Sequence, residues 1–253
     1  MRTFSALVRR NVKMFFKDKG MFFTSLITPI ILLVLYATFL ARIYRDSFVS
    51  ALPDGLAIDE KLISATVGGQ LMSSLLAVSC VTVSFCANLL SVQDRVSGAR
   101  KDMLVTPVRR STIAGAYYVG TLATTVIVSL VATAACFVYL AINGWYLSFG
   151  DVALIILDVV ILTMFGTALA SVVNAFLTSN GQASAVGTIV SAGYGFICGA
   201  YMPISQFGGA LGNVMMFLPG TYGTSLIRNH CLGGVYREMS SIGFPSGVVE
   251  GIK

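Results

Sequence analysis

Charge is scarce in this chain. Of 253 residues only 11% are Asp, Glu, Lys or Arg, against about 25% in an ordinary soluble domain, while 56% are hydrophobic and the mean hydropathy is +0.82. That balance excludes a soluble globular domain and points to an integral membrane protein. No G-x-x-x-x-G-K-[ST] loop occurs, so the chain cannot cradle nucleotide phosphates in a Walker fold of its own. GxSxG, HExxH and paired CxxC are also missing, which leaves no recognisable catalytic framework, and an enzymatic role is not expected. The single histidine, His230, stands beside Cys231. One His with one Cys is too little for a metal site, so no metal is expected and His230 reads as loop surface. The five cysteines are odd in number, and Cys80, Cys86, Cys136 and Cys198 lie in apolar segments, where they read as small packing residues rather than a disulfide framework.

The charge that is present is concentrated. Asp94 to Arg110 carries five basic and two acidic side chains, whereas Leu62 to Gln93 and Ser111 to Gly150 carry none. Each flanking stretch exceeds the roughly 20 apolar residues that a spanning helix needs. The island between them therefore sits at a membrane face, and its basic excess assigns that face to the cytoplasm. The net charge of +6 gathers beside spans and not along one exposed stripe, so no nucleic-acid partner is expected.

Residues 1–20 hold Arg2, Arg9, Arg10, Lys13, Lys17 and Lys19 against Asp18, which sets the N-terminus inside. Phe4, Leu7, Val8, Val12 and Phe15 recur at helical spacing, with Arg9, Arg10, Lys13 and Lys17 off that face, as in a helix lying along the headgroups. The apolar run begins only at Met21 and lacks a small-residue cleavage site, so it is not a removable signal. Spans are expected over 21–41, kinked at Pro29, and over 66–92, 111–141, 152–176 and 183–201. A loop with Asp46, Asp54, Asp59 and Glu60 separates the first two, and Trp145 and Tyr146 mark the outer turn after the third.

Ala183, Gly187, Ser191, Gly195 and Gly199 repeat at four-residue intervals, which predicts a flat helix-packing face, with a glycine-softened mobile helix as the alternative. Residues 202–227 are uncharged but broken by Pro203, Gly208, Gly209, Gly212, Pro219, Gly220 and Gly223, which predicts short helices re-entering the outer leaflet. Asp158 is the one ionisable residue between Val152 and Ile227. An intramembrane carboxylate is either a pathway group or a hydrated, hydrogen-bonded one, and its position near the outer interface leaves both open.

The island reads Asp94-Arg95 at the membrane exit, then Gly98, Asp102, the apolar Met103-Leu104, and Thr106-Pro107-Val108 before the next span. This pattern resembles the cytoplasmic loop of ABC-2 type transporter permeases, although Asp94 stands where that family typically has Glu, and Ala99-Arg100-Lys101-Asp102 replaces its common Thr-Leu-Glu string. The start Lys17-Asp18-Lys19 with Thr28-Pro29-Ile30, and the outer Gly199-Ala200-Tyr201-Met202-Pro203 with Phe217-Leu218-Pro219-Gly220, resemble the family as well. The resemblance implies an all-α polytopic membrane protein, a single permease domain over 1–253 with a sixth span expected after Lys253. It implies a bacterial inner membrane, a second permease copy as homo- or heterodimer partner, and a separate ABC ATP-binding subunit that holds ATP and Mg, with no cofactor in this chain. It also implies the drug and antibiotic export branch, with residues 94–110 as the coupling loop and Asp94, Arg95, Gly98, Asp102, Leu104, Thr106 and Pro107 as ATPase-coupling residues. A secondary transporter or channel without an ATPase is the alternative reading.

Overall fold

The computed structural model describes residues 2–50, 59–201 and 209–241, and no strand occurs among them. In chain order the helices are α1 (Arg2–Lys17), α2 (Lys19–Leu35), a π turn (Tyr36–Leu40), α3 (Ala41–Ser50), α4 (Glu60–Val96), α5 (Ala99–Val105), α6 (Arg110–Asn143), α7 (Phe149–Ala175), α8 (Asn180–Ile197), α9 (Gly209–Met216) and α10 (Pro219–Ser241). Four are long and apolar enough to cross a bilayer: Lys19–Asp46, running through the π turn, Glu60–Val96, Arg110–Asn143 and Phe149–Ala175. The segment expected as a fifth span is α8, which has 18 residues, ends at Ile197 and is not one of those four.

Local signals account for most of the boundaries. Asp18 accepts from Met21 N at 3.1 Å and starts α2. Asp59 caps α4, Ser179 caps α8, and Ser148 with Asp151 closes a capping box on α7. Pro29 does not end its helix; the departure from α geometry comes later, at Tyr36–Leu40. A π turn of this kind is how a helix absorbs an extra residue without breaking.

Helix α4 is the axis of the bundle and is buried along nearly its whole length, with α6, α7, α8, α10 and α2 packed around it. Among its buried positions several are small, Ser73, Ser74, Ala77, Ser79, Ser84 and Ala87, between large ones such as Leu75, Leu76 and Phe85. The small positions let α7 come close. A Cβ on Gly166 would stand 3.1 Å from Val81 Cα and 3.2 Å from the Cys80 carbonyl, backbone on backbone. In lipid, where apolar side chains gain nothing by leaving the solvent, such close approach is what holds helices together. Thr163, Gly166, Thr167, Ala170 and Asn174, all buried, form the small face of α7 that makes it.

The stripe expected on α8 behaves otherwise. Its core-facing residues are Val186, Val190, Tyr194 and Cys198, one step round the helix from Gly187 and Ser191. Ala183 and Gly195 are buried, but a Cβ on Gly187 meets nothing within 4 Å, and Gly199 lies beyond the helix at φ 70° in the turn that ends it. Gly195 is filled by the ring of Tyr201. Val186, Val190 and Tyr194 make this contact, and Gly187 stands off it. Gly187→Ala is therefore expected to raise the melting temperature slightly, by the ~0.5–1 kcal/mol a helical Gly costs against Ala. A lowered melting temperature in detergent would show instead that Gly187 is packed.

Helix α10 departs furthest from expectation. Residues 202–208 lie outside the described residues, α9 is short, and Pro219 opens a helix that continues to Ser241, past the point where the re-entrant segment was expected to end at 227. Pro suits the first helical position. The glycines that read as breakers are contact points: Gly220 against Tyr194, Gly223 against Leu162, and Gly234 against the backbone of Tyr146 and Leu147. Helix α10 thus runs antiparallel to α7, from beside its middle to its N-terminal end.

Candidate functional site

The chemistry-bearing residues gather at the two ends of the bundle. At the basic end, α1 lies across α6 and meets the exit of α4. Phe4, Leu7, Val8 and Val12 are partly buried and Phe15 fully, while Arg9, Lys13 and Lys17 face outward, as their spacing predicts. Arg10 does not join them. Its Nη1 donates to Asp94 Oδ2 at 2.6 Å and its Nη2 to Oδ1 at 3.2 Å, and Tyr117 Oη donates to the same Oδ2 at 2.6 Å. Arg10 was expected on the outward face; the carboxylate of Asp94, 4% exposed, draws it inward because a buried charge needs a paired donor set. Hydrogen bonding to Asp94 raises the Arg10 guanidinium above its ordinary value. Beside this pair Asn11 Nδ2 donates to the Ala116 carbonyl at 3.1 Å, and a Cβ on Gly120 would stand 2.9 Å from Asn11 Cβ, so α1 is seated into α6 at a glycine.

Arg95 performs a different task. Its Nη1 donates to the carbonyls of Asn174, Ala175 and Leu177 at 3.3, 2.9 and 2.7 Å, closing the C-terminal end of α7, where a cation complements the helix dipole. Two turns deeper on α4, Asn88 Nδ2 reaches Ser171 Oγ at 3.0 Å and Asn174 Nδ2 returns to Asn88 Oδ1 at 3.0 Å, a polar tie between α4 and α7. Sequence reasoning did not find this tie; the one available signal was two asparagines inside otherwise apolar runs.

Between these anchored ends stands α5. Gly98 begins it at φ 88°, a conformation open to glycine and strained for other residues. Thr106 Oγ1 donates to the Met103 carbonyl at 2.5 Å and the chain leaves extended through Pro107, so α5 cannot run on into α6. None of its residues is buried. Leu104 is 40% exposed, Val105 88% and the preceding Val96 48%, with Lys101 and Asp102 also outward. The residues expected to act together thus divide: Asp94 and Arg95 hold the frame, Gly98, Thr106 and Pro107 shape the short helix, and Asp102 and Leu104 are on its free surface.

At the other end Asp158 is 6% exposed and lies 2.5 Å from Nδ1 of His230. His230, expected on a loop surface, is on α10 instead; the helix that carries it was not foreseen. Two turns along, Asp151 pairs with Arg237. Among the described residues no group of three His, Cys, Asp or Glu could hold a metal ion.

No curated protein and no solved structure matches the chain. The family described as ABC-2 type transporter matches over residues 2–231. Helix α1, the spanning helices and the basic-end frame of Arg10, Asp94 and Arg95 all lie inside that match, and the chain belongs to the ABC-2 type transporter family, as a multi-pass membrane permease subunit of an ABC transporter.

Proposed function

We propose that the chain is an exporter permease that moves a hydrophobic or amphipathic solute, with α5 docking on a separate ATP-binding subunit in the cytoplasm and a second permease copy completing the pathway. The observation that carries this reading is the exposed apolar trio of Val96 at the end of α4 and Leu104 and Val105 on the charged seven-residue α5, whose neighbours on both sides are tied down. A free, greasy knob on a rigid mount fits a groove in a soluble partner and transmits its movement into α4 and α6. In this reading α1 and α5 face the cytoplasm, as the basic excess of both segments requires. Movement of α5 reaches α1 through Asp94 and Arg10, and α7 through Arg95.

The test is association. Val105→Asp is expected to lower recovery of a Walker-motif ATPase by at least tenfold, since a Val side chain contributes about 1.5–3 kcal/mol on burial, while the melting temperature stays within error because Val105 is 88% exposed. Unchanged recovery would remove α5 as the docking element. Changing Asp94 and Arg95 is a poorer probe, because both hold the permease itself together. A secondary transporter or channel remains the competing reading; Asp158 and His230 would be its carrier groups, and equal transport after loss of ATP would favour it.

A further inference from the structure

The basic end contains a cavity of about 130 Å³ between α4, α5, α6 and α7, with Ala114 and Tyr118 on its α6 side. That is well above what a single water needs, so a small polar group fits. Two guanidinium groups line it, Arg95 from the end of α4 and Arg100 from α5, and no carboxylate does. Asp94 is close by in sequence, but its oxygens are taken by Arg10 and Tyr117. Arg95 uses only Nη1 on the α7 carbonyls, and its buried Nε has no partner. Among the described residues Arg100 makes no ion pair or hydrogen bond. Ser171 Oγ accepts from Asn88 and keeps its own proton to give, and Tyr118 Oη reaches only a marginal 3.5 Å contact with the Met164 carbonyl. The lining therefore offers spare donors and two spare positive charges, a set that suits a compact oxyanion.

Depth and opening narrow the source. Ser171 lies four residues before Ala175, about 6 Å from the end of α7, and a headgroup layer is about 5–7 Å thick on each side. The Tyr118 edge continues onto Met164, 46% exposed on the outer flank of α7 beside Ile161, 52% exposed. A ligand seated here has its anion in the cavity and an apolar flank to lie on. We propose that this cavity holds the phosphate of an anionic phospholipid headgroup, gripped between Arg95 and Arg100, with its acyl chains along α6 and α7.

The full chain, stripped of lipid in detergent, would be titrated with phosphatidylglycerol, phosphatidylcholine and inorganic phosphate and read by native mass spectrometry. Phosphatidylglycerol is expected to bind at least fivefold more tightly than phosphatidylcholine. Arg100→Gln should weaken it about tenfold, the effect of losing one charge-assisted hydrogen bond, and Arg100→Lys should recover part of that. Arg109→Gln, an exposed arginine outside the cavity, should change it less than twofold. Among the described residues Arg100 makes no hydrogen bond or ion pair, so its variants are expected to keep the native melting temperature. Unaltered binding in Arg100→Gln, an equal loss in Arg109→Gln, or parity between the two lipids would overturn the proposal, and inorganic phosphate binding as tightly as the lipid would overturn the lipid assignment.

Discussion

Asp94→Ala is expected to lower the melting temperature of the detergent-purified protein by about 5–10 °C and to expose α1 to protease at Lys13 and Lys17. The substitution removes the acceptor of three hydrogen bonds and strands a guanidinium and a phenol against the membrane end of α4. Breaking a buried ion pair by deleting one partner costs about 3–5 kcal/mol. Arg10 is 30% exposed, so water recovers part of that and about 2–3 kcal/mol is the working figure. For a chain of this size each kcal/mol shifts the midpoint by about 2–4 °C. Arg10→Ala should cost at least as much, because it leaves the buried Asp94 carboxylate with Tyr117 as its one donor. The double variant should then show at least ~1 kcal/mol of coupling. A melting curve within 1 °C of the parent, at about 0.5 kcal/mol, would mean that α1 is held by its apolar face alone.

How far the sequence foretold this arrangement differs from element to element. The helices that cross the bilayer and the face of α1 were legible, because burial in lipid and at its surface imposes a pattern that one residue after another must satisfy. Asp94 was legible as important, but not its partner: Arg10 is 84 positions away, and helical periodicity placed it on the outward face. A tertiary ion pair overrides periodicity whenever it saves a carboxylate from burial without donors. The α8 stripe misled because four-residue spacing of small side chains permits close packing without requiring it; whether a face is used depends on the neighbour, and α4 spent its thin positions on Gly166 of α7. The glycines and proline of α10 misled in the same way. A glycine weakens a free helix by about 1 kcal/mol, yet in a bundle it admits a neighbour whose contacts more than offset that loss, as at Gly223 on Leu162.

His230→Leu tests the other end and should also be costly, by about 2–4 kcal/mol. Helices α7 and α10 are antiparallel, and two polar contacts between them among the described residues, Asp151 with Arg237 and Asp158 with His230, lie seven residues apart on each helix, two turns or about 10 Å. The two rungs are unequal. Arg237 has 57% of its side chain in solvent, and Arg237→Ala should cost much less than His230→Leu, like other exposed pairs. Asp158 is 6% exposed and His230 is the side chain that meets it, so Leu at 230 leaves a carboxyl group facing hydrocarbon with no donor. The double variant Asp158→Leu, His230→Leu removes both polar groups together and should regain most of the lost stability, as replacement of buried pairs by apolar side chains does. If the double variant melts as low as the single one, the pair is not what joins these helices. If it melts near the parent yet no longer transports, the carboxylate and imidazole belong to the solute's route, and their place between α7 and α10 locates that route in the half of the bundle away from α1.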